Sequence, residues 1–224
     1  MQTEEITFQG RKTARQGSEQ RRLAILQATL RVVVRDGVRG VRHRAVAKEA
    51  EVPLSATTYY FKDIHDLLAD AFTLYAQETI DTVVSPFWTQ ALQWVMGKYA
   101  NTENVRQDPE ALADIIDHMV DAGSDYILQR VTVYRERILI EHAFLYAALQ
   151  DERLHTMAVQ HSRRLGQSLT QLLQMVNIPD AELAAISVIG TVRRLEYEAM
   201  MNSSPDKAAI KRTLVHQVKA VTGL

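Results

Sequence analysis

Between Leu54 and Tyr60 the chain reads LSATTYY, a short run dominated by side-chain hydroxyls. Hydroxyls of Ser, Thr and Tyr both donate and accept hydrogen bonds, which suits them to base edges and phosphate oxygens. A helix this short and this poor in apolar residues is not stable alone, so its neighbours must hold it. Those neighbours are legible in RAVAKEAEVP just upstream. Ala47 and Ala50 are small where a second helix would cross closely, and Val46 and Val52 are apolar pins for the joint. Downstream, Asp63 followed three residues later by Asp66 announces another helix with a carboxylate cap. Two short helices joined by a tight turn form a unit that places its second helix, here expected from about Leu54 to Tyr60, in a DNA groove.

A second set of polar groups sits inside apolar runs. Glu141 and His142 stand in ILIEHAFLYAAL, which has almost no polar face, and His118 stands in DIIDHMV. A buried carboxylate or imidazole needs a partner. An ion pair with Arg130, Arg135 or Arg137 satisfies that need, and so does a bound ligand. A metal held by His118, His142 and Glu141 would have to form without a compact ligand spacing, so no metal and no cofactor is expected. No acid, base or nucleophile spacing accompanies these groups. A non-enzyme is therefore expected, with a helical enzyme built around Glu141 and His142 as the alternative.

The N-terminal third, roughly 70 residues, resembles the DNA-binding domain of TetR-family transcriptional regulators. Val46-Ala47 matches the family's Ile/Val-Ala pair, Ala50-Glu51-Val52 its Ala-Gly-Val turn, and Tyr59-Tyr60-Phe61 its Tyr-His-Phe ending, with Leu67-Leu68 in the Leu-rich helix that follows. Three positions depart from the pattern. Glu51 stands where Gly is usual, so the turn must tolerate a side chain at some conformational cost. Pro53 replaces a Ser cap, losing a hydroxyl but fixing the backbone angle at a helix start. Ile64 replaces a Lys, which removes one expected phosphate contact.

The resemblance implies roles residue by residue. Arg44 matches a position that often reads a base, and a guanidinium pairs guanine with two bonds, worth roughly 1 to 3 kcal/mol of discrimination. Leu54, Ser55, Ala56 and Thr58 match groove-facing positions, their alkyl groups suited to thymine methyls and their hydroxyls to either base type. His43, Tyr59, Tyr60 and Lys62 match backbone-contacting positions, while Thr57 and Phe61 match inward ones. The resemblance also implies an all-α fold of about nine helices, an N-terminal three-helix helix-turn-helix domain joined to a helical ligand-binding and dimerisation domain.

Charge supports a nucleic-acid partner only through its distribution. The whole chain has a formal net charge of -1, yet residues 1 to 65 hold 12 Arg and Lys against 7 Asp and Glu, leaving 14 against 20 for the rest. A basic head on an acidic remainder suits a DNA reader with a separate regulatory body. The rival is a DNA-architectural protein that binds without sequence preference. With no Cys, thiolate metal sites, disulfides and thiol redox sensing are excluded. No apolar run reaches the roughly 18 residues of a membrane span, and residues 1 to 22 lack the apolar stretch of a secretory signal, so a cytoplasmic protein is expected.

The elements that must position these residues follow from helical periodicity. Residues 1–17, with Gly10, Arg11, Lys12, Arg15 and Gly17, read as a flexible basic arm; 18–65 as the helix-turn-helix domain; and 66–224 as the helical body. Helix 1 runs from about Ser18 to Asp36 and stops at Gly37. Helix 4 runs from Asp63 towards Thr82, where Ser85-Pro86 imposes a break or kink. A helix carrying Phe87, Trp88, Trp94 and Tyr99 follows, and further helices are expected near 110 to 130, 131 to 149, 151 to 176, 180 to 202 and 205 to 222. Aromatic and Met side chains on the middle helices, with the polar groups set among them, suggest a pocket for a small-molecule effector lined by Trp88, Trp94, His118, Met119, Tyr126, Glu141, His142 and Leu145. One recognition helix reads only a few base pairs, so a homodimer on a palindromic operator is expected. Family resemblance places its interface on the last two helices, through Leu183, Ile186, Ile189, Gly190, Ile210, Leu214 and Val218.

Overall fold

Hydroxyl-rich and apolar-striped segments alike become helix, and the described residues contain no strand. The computed structural model describes residue 8, residues 16–99, residue 105, residues 107–202 and residues 204–223. Most of the expected basic arm, including Gly10, Arg11, Lys12 and Arg15, lies outside the described residues. Among the described residues ten α-helices follow in order: α1 (Gln16–Asp36), α2 (His43–Glu49), α3 (Leu54–Tyr60), α4 (Ile64–Thr79), α5 (Ser85–Lys98), α6 (Pro109–Thr132), α7 (Arg135–Ala147), α8 (Glu152–Met175), α9 (Ala181–Met201) and α10 (Lys207–Thr222). A π-turn, Ile80–Val84, fills the stretch between α4 and α5, so counting those two as one helical run gives nine. Pro86 sits in the first turn of α5, where its missing N–H is harmless.

The chain divides into two compact units. The first takes in the described residues up to Thr79 together with Leu139–Ser162; the second comprises Ile80–Ile138 and the chain from Arg163 onward. In the first, Ile25, Leu26, Val32 and Val33 of α1 bury their side chains with Val46, Phe61, Leu67, Phe72, Tyr75 and Phe144. Phe72 and Phe144 pack with ring centroids 4.8 Å apart. Burying such a side chain stabilises by roughly 1.5 to 3 kcal/mol, and this core is what holds the short α2 and α3 in place. One charged pair is buried with it: Arg22 Nη2 donates to Asp70 Oδ2 at 2.6 Å, with both side chains almost fully enclosed. Both caps expected near the ends of this unit form. Gly37 ends α1 at φ 72°, and Asp63 accepts the Asp66 N–H at 2.9 Å.

The second unit is built on α6, α9 and α10. Ile115, Ile116 and Ile127 of α6 pack in one core with Leu195 of α9 and with Ile210 and Leu214 of α10. Arg130 and Glu196 form a buried two-pronged pair, Nε to Oε1 at 2.7 Å and Nη2 to Oε2 at 3.3 Å. Removing one partner of such a pair strands a buried charge, at a cost of roughly 3 to 5 kcal/mol. Outside the core, Lys98 meets Asp114 and Lys211 meets Asp121, stitching α5 and α10 to α6. Carboxylate caps start the helices as the stop-and-start signals require: Asp108 accepts from Glu110 N and Ala111 N, and Asp206 from Ala208 N. Asp180 differs, since it precedes α9 at φ 49° and makes no side-chain cap bond.

Candidate nucleic-acid interface

Helical phase sorts the LSATTYY run into two faces. Thr57, Tyr60 and the following Phe61 point inward and are buried, while Leu54, Ser55, Thr58 and Tyr59 are exposed and Ala56 is half-buried against the core. The Thr57 hydroxyl turns back to the Leu54 carbonyl at 2.8 Å, which satisfies it without a partner elsewhere. Tyr59 is 54% exposed, so its ring is the larger of the surfaces α3 offers. Tyr60 corrects the backbone-contact expectation for that residue: it is only 4% exposed, and its hydroxyl lies 2.9 Å from the Ser18 hydroxyl. It braces the first turn of α1 against the end of α3.

The turn before α3 is a left-handed helix cap. Glu51 N–H donates to the Lys48 carbonyl at 3.3 Å and Val52 N–H to the Ala47 carbonyl at 3.0 Å, with Glu51 at φ 54°. That conformation is the natural place for Gly. Glu51 therefore bears the strain expected from its departure from the family pattern. Pro53 then stands at the N-cap of α3 with φ -59° and no side-chain cap bond, as its missing hydroxyl requires.

Helix α2 is set against α1 through Glu49. Its carboxylate accepts from Arg31 Nε and Arg35 Nη1, each at 2.8 Å, and these bonds hold its pKa below the ordinary carboxylate value. On the outer side of α2, Arg44 is exposed and His43 is half-buried. Lys62, just beyond α3, is exposed. The Asp63 carboxyl that follows is also held below its ordinary pKa, chiefly by the backbone N–H of Asp66.

The residues expected to line an effector pocket fall into both units. Trp88, Trp94, Met119 and Tyr126 are half-buried around the core of the second unit. There the Trp94 ring stacks on the His118 imidazole at 3.8 Å and 5°, and Phe87 lies 4.9 Å from both Trp88 and Tyr126. Nearby, the Tyr99 hydroxyl donates to Asp114 Oδ2 at 2.5 Å, which with burial pushes its pKa up to about 12. Glu141, His142 and Leu145 belong to the first unit. Glu141 is buried and accepts from the Tyr75 hydroxyl at 3.1 Å; the fully buried His161 lies 3.9 Å away. Sequence reading missed His161, although it interrupts the apolar stripe of α8 formed by Leu154, Ala158, Leu169 and Leu172. Among the described residues no three His, Cys, Asp or Glu side chains gather as a metal site.

Residues expected at a dimer interface also divide. Leu183 and Ile186 of α9 are 66% and 61% exposed, and Gly190 is exposed with open space where a Cβ would stand. Tyr197 and Met201, which sequence reading did not single out, continue the same exposed side of α9 at 55% and 72%. Ile189 and Val218 are half-buried. Ile210 and Leu214 face inward instead, filling the core of their own unit.

No protein-family model matches the chain. Over 65 residues it is 38% identical to the HTH-type transcriptional regulator PksA of Bacillus subtilis (strain 168), a match covering 29% of this chain and 32% of that protein. The chain therefore spans about a third of the length of the curated relative it matches. A solved member of the TetR family from Streptomyces coelicolor A3 superposes with a TM-score of 0.60 at 21% identity, covering 88% of this chain and 97% of that one. The multidrug binding protein EbrR complexed with ethidium superposes with a TM-score of 0.58 at 22% identity over 88% of this chain and 97% of that one.

Proposed function

We propose that this chain, which has the fold of TetR-family regulators, is a DNA-binding transcriptional regulator that acts as a homodimer on a palindromic operator. The observation that carries the reading is the outer face of α3. Leu54, Ser55, Thr58 and Tyr59 are exposed together while Thr57, Tyr60 and Phe61 anchor the same helix from beneath. A helix held in this way offers base-edge and phosphate contacts without having to be stable alone. Arg44 on α2 supplies the side chain suited to guanine. Two such heads on one symmetric duplex give the specificity that one cannot. The exposed apolar side of α9, from Leu183 through Ile186 to Met201, is the proposed pairing surface.

The regulator is proposed to be a repressor released by a small molecule. EbrR, of like fold, is a multidrug binding protein, and the half-buried aromatic groups of α5 and α6 around Trp88, Trp94, His118, Met119 and Tyr126 are the proposed walls of an effector site here. Glu141, His142 and Leu145 form a second candidate lining in the first unit. An effector that favours one arrangement of the body shifts the population of heads able to bind DNA. The cytoplasm is the proposed setting, and no helix among the described residues is long and apolar enough to cross a membrane.

The test uses a duplex enriched from a random pool by the full-length protein. Its affinity is compared with that of a scrambled duplex at one salt concentration, for wild type and Arg44→Ala. A preference for the enriched duplex that shrinks roughly 5- to 150-fold in the variant is expected. Equal affinity for both duplexes in wild type favours an architectural protein and rejects the regulator; an unchanged preference in Arg44→Ala rejects the role of Arg44.

A further inference from the structure

The described cations up to Lys62 differ in whether the protein itself engages them. Arg22 is buried on Asp70 and Glu19. Arg31 and Arg35 are committed to Glu49. Arg42 donates to the carbonyls of Arg39 and Val41, and Arg39 donates to Gln150. Among the described residues up to Lys62, the exposed side chains of Arg21, Arg44, Lys48 and Lys62 take part in no ion pair or hydrogen bond.

Those four stand on the segments next to α3. Ser18 touches Tyr60, so the first turn of α1 abuts the end of α3, and Arg21 stands one turn beyond Ser18. Lys48 stands one turn beyond Arg44 on α2, both exposed. Lys62 lies just past the last turn of α3. A cation already neutralised inside the protein releases no counterions from DNA, whereas an uncommitted one beside the groove helix does. We propose that Arg21 and Lys48 are phosphate contacts, joining Lys62 in a grip on both sides of α3 that leaves Arg44 for the base. This rests on the reading of α3 as the groove helix.

The test is the salt dependence of binding to the enriched duplex, with bound protomers counted by mass. Arg21→Gln and Lys48→Gln are each expected to flatten the slope of log K against log salt by about 0.9 per bound protomer. Arg31→Gln removes the same formal charge from a committed guanidinium and is expected to leave the slope unchanged. Circular dichroism melting of each variant verifies that the fold is retained. Wild-type slopes for Arg21→Gln and Lys48→Gln overturn the proposal while leaving the α3 reading intact. Flattening by Arg31→Gln as large as theirs overturns it too, because net charge rather than placement would then set the slope. A wild-type protein with no preference for the enriched duplex rejects the α3 reading and this proposal together.

Discussion

Replacing Glu51 with Gly is expected to stabilise the protein, by up to about 1.5 kcal/mol and most simply by somewhat under about 1 kcal/mol. Glu51 occupies the left-handed region at φ 54°, where a side chain with a Cβ meets the neighbouring carbonyl at a penalty of roughly 1 to 2 kcal/mol. Gly escapes that penalty but loses roughly 0.5 to 1 kcal/mol more backbone entropy on folding. The difference is the net gain. No side-chain interaction offsets it, because Glu51 is exposed and its carboxylate makes no hydrogen bond or ion pair among the described residues. The two bonds that define the turn, from Glu51 N–H to Lys48 and from Val52 N–H to Ala47, are backbone bonds that Gly keeps. Urea unfolding followed by far-ultraviolet circular dichroism reads the effect as a higher midpoint at unchanged slope. Glu51→Ala separates conformation from charge: it retains the Cβ and should stay near wild type. Asn177, which ends α8 in the same hydrogen-bond pattern at φ 54°, is the internal comparison. Asn tolerates this conformation, so Asn177→Gly should gain less. A midpoint for Glu51→Gly at or below wild type refutes the strain argument, and a Glu51→Ala variant as stable as Glu51→Gly shifts the explanation to charge.

Two further predictions follow from the sorting of α3 and the start of α4. Tyr60→Phe removes the hydroxyl bonded to Ser18 and should lower stability by about 1 kcal/mol. Tyr59→Phe, on the exposed ring of α3, should weaken binding to the enriched duplex, and unchanged binding would show that ring to be misassigned. Asp63→Ala removes the acceptor for Asp66 N–H and should lower stability by about 1 kcal/mol. Because folding lowers the Asp63 pKa, its contribution is complete above the carboxyl's unfolded value and fades as pH falls through the folded one. The difference between wild type and Asp63→Ala in urea midpoint should therefore be constant near neutrality and shrink below about pH 4; a difference that persists in acid would refute this.

Local chemistry was readable from residues alone, and nonlocal pairing was not. The span of α3, Leu54 to Tyr60, coincides with expectation because its limits are set by Pro53 before it and by the extended Phe61 after it. The strain at Glu51 was equally legible, since a turn of that length demands a left-handed residue whatever packs around it. The inward side of Tyr60 was legible too. Thr57 and Phe61 match inward positions, and Tyr60, three residues after one and adjacent to the other, shares their face of the helix. The resemblance implies a backbone contact at Tyr60, whereas helical phase turns its ring inward.

Partners of buried polar groups obey no such local rule. Setting Glu141 inside an apolar run was enough to show that it would be buried, and it is 4% exposed. Its hydroxyl partner, however, is Tyr75 on α4, and the nearby imidazole is His161 on α8 rather than the adjacent His142. Arg130, one of the partners considered for Glu141, pairs with Glu196 instead. Each of these pairs joins helices far apart in sequence, so the periodicity of one helix shows only that a partner is required. The same limit explains why Leu139–Ser162 groups with the N-terminal residues. The contacts that tie it there, Phe144 on Phe72 and Asp151 on His65, are set by side chains brought together only when the first unit's core forms. Periodicity could reveal that Phe72 and Phe144 each need burial, but only the folded topology could select one for the other.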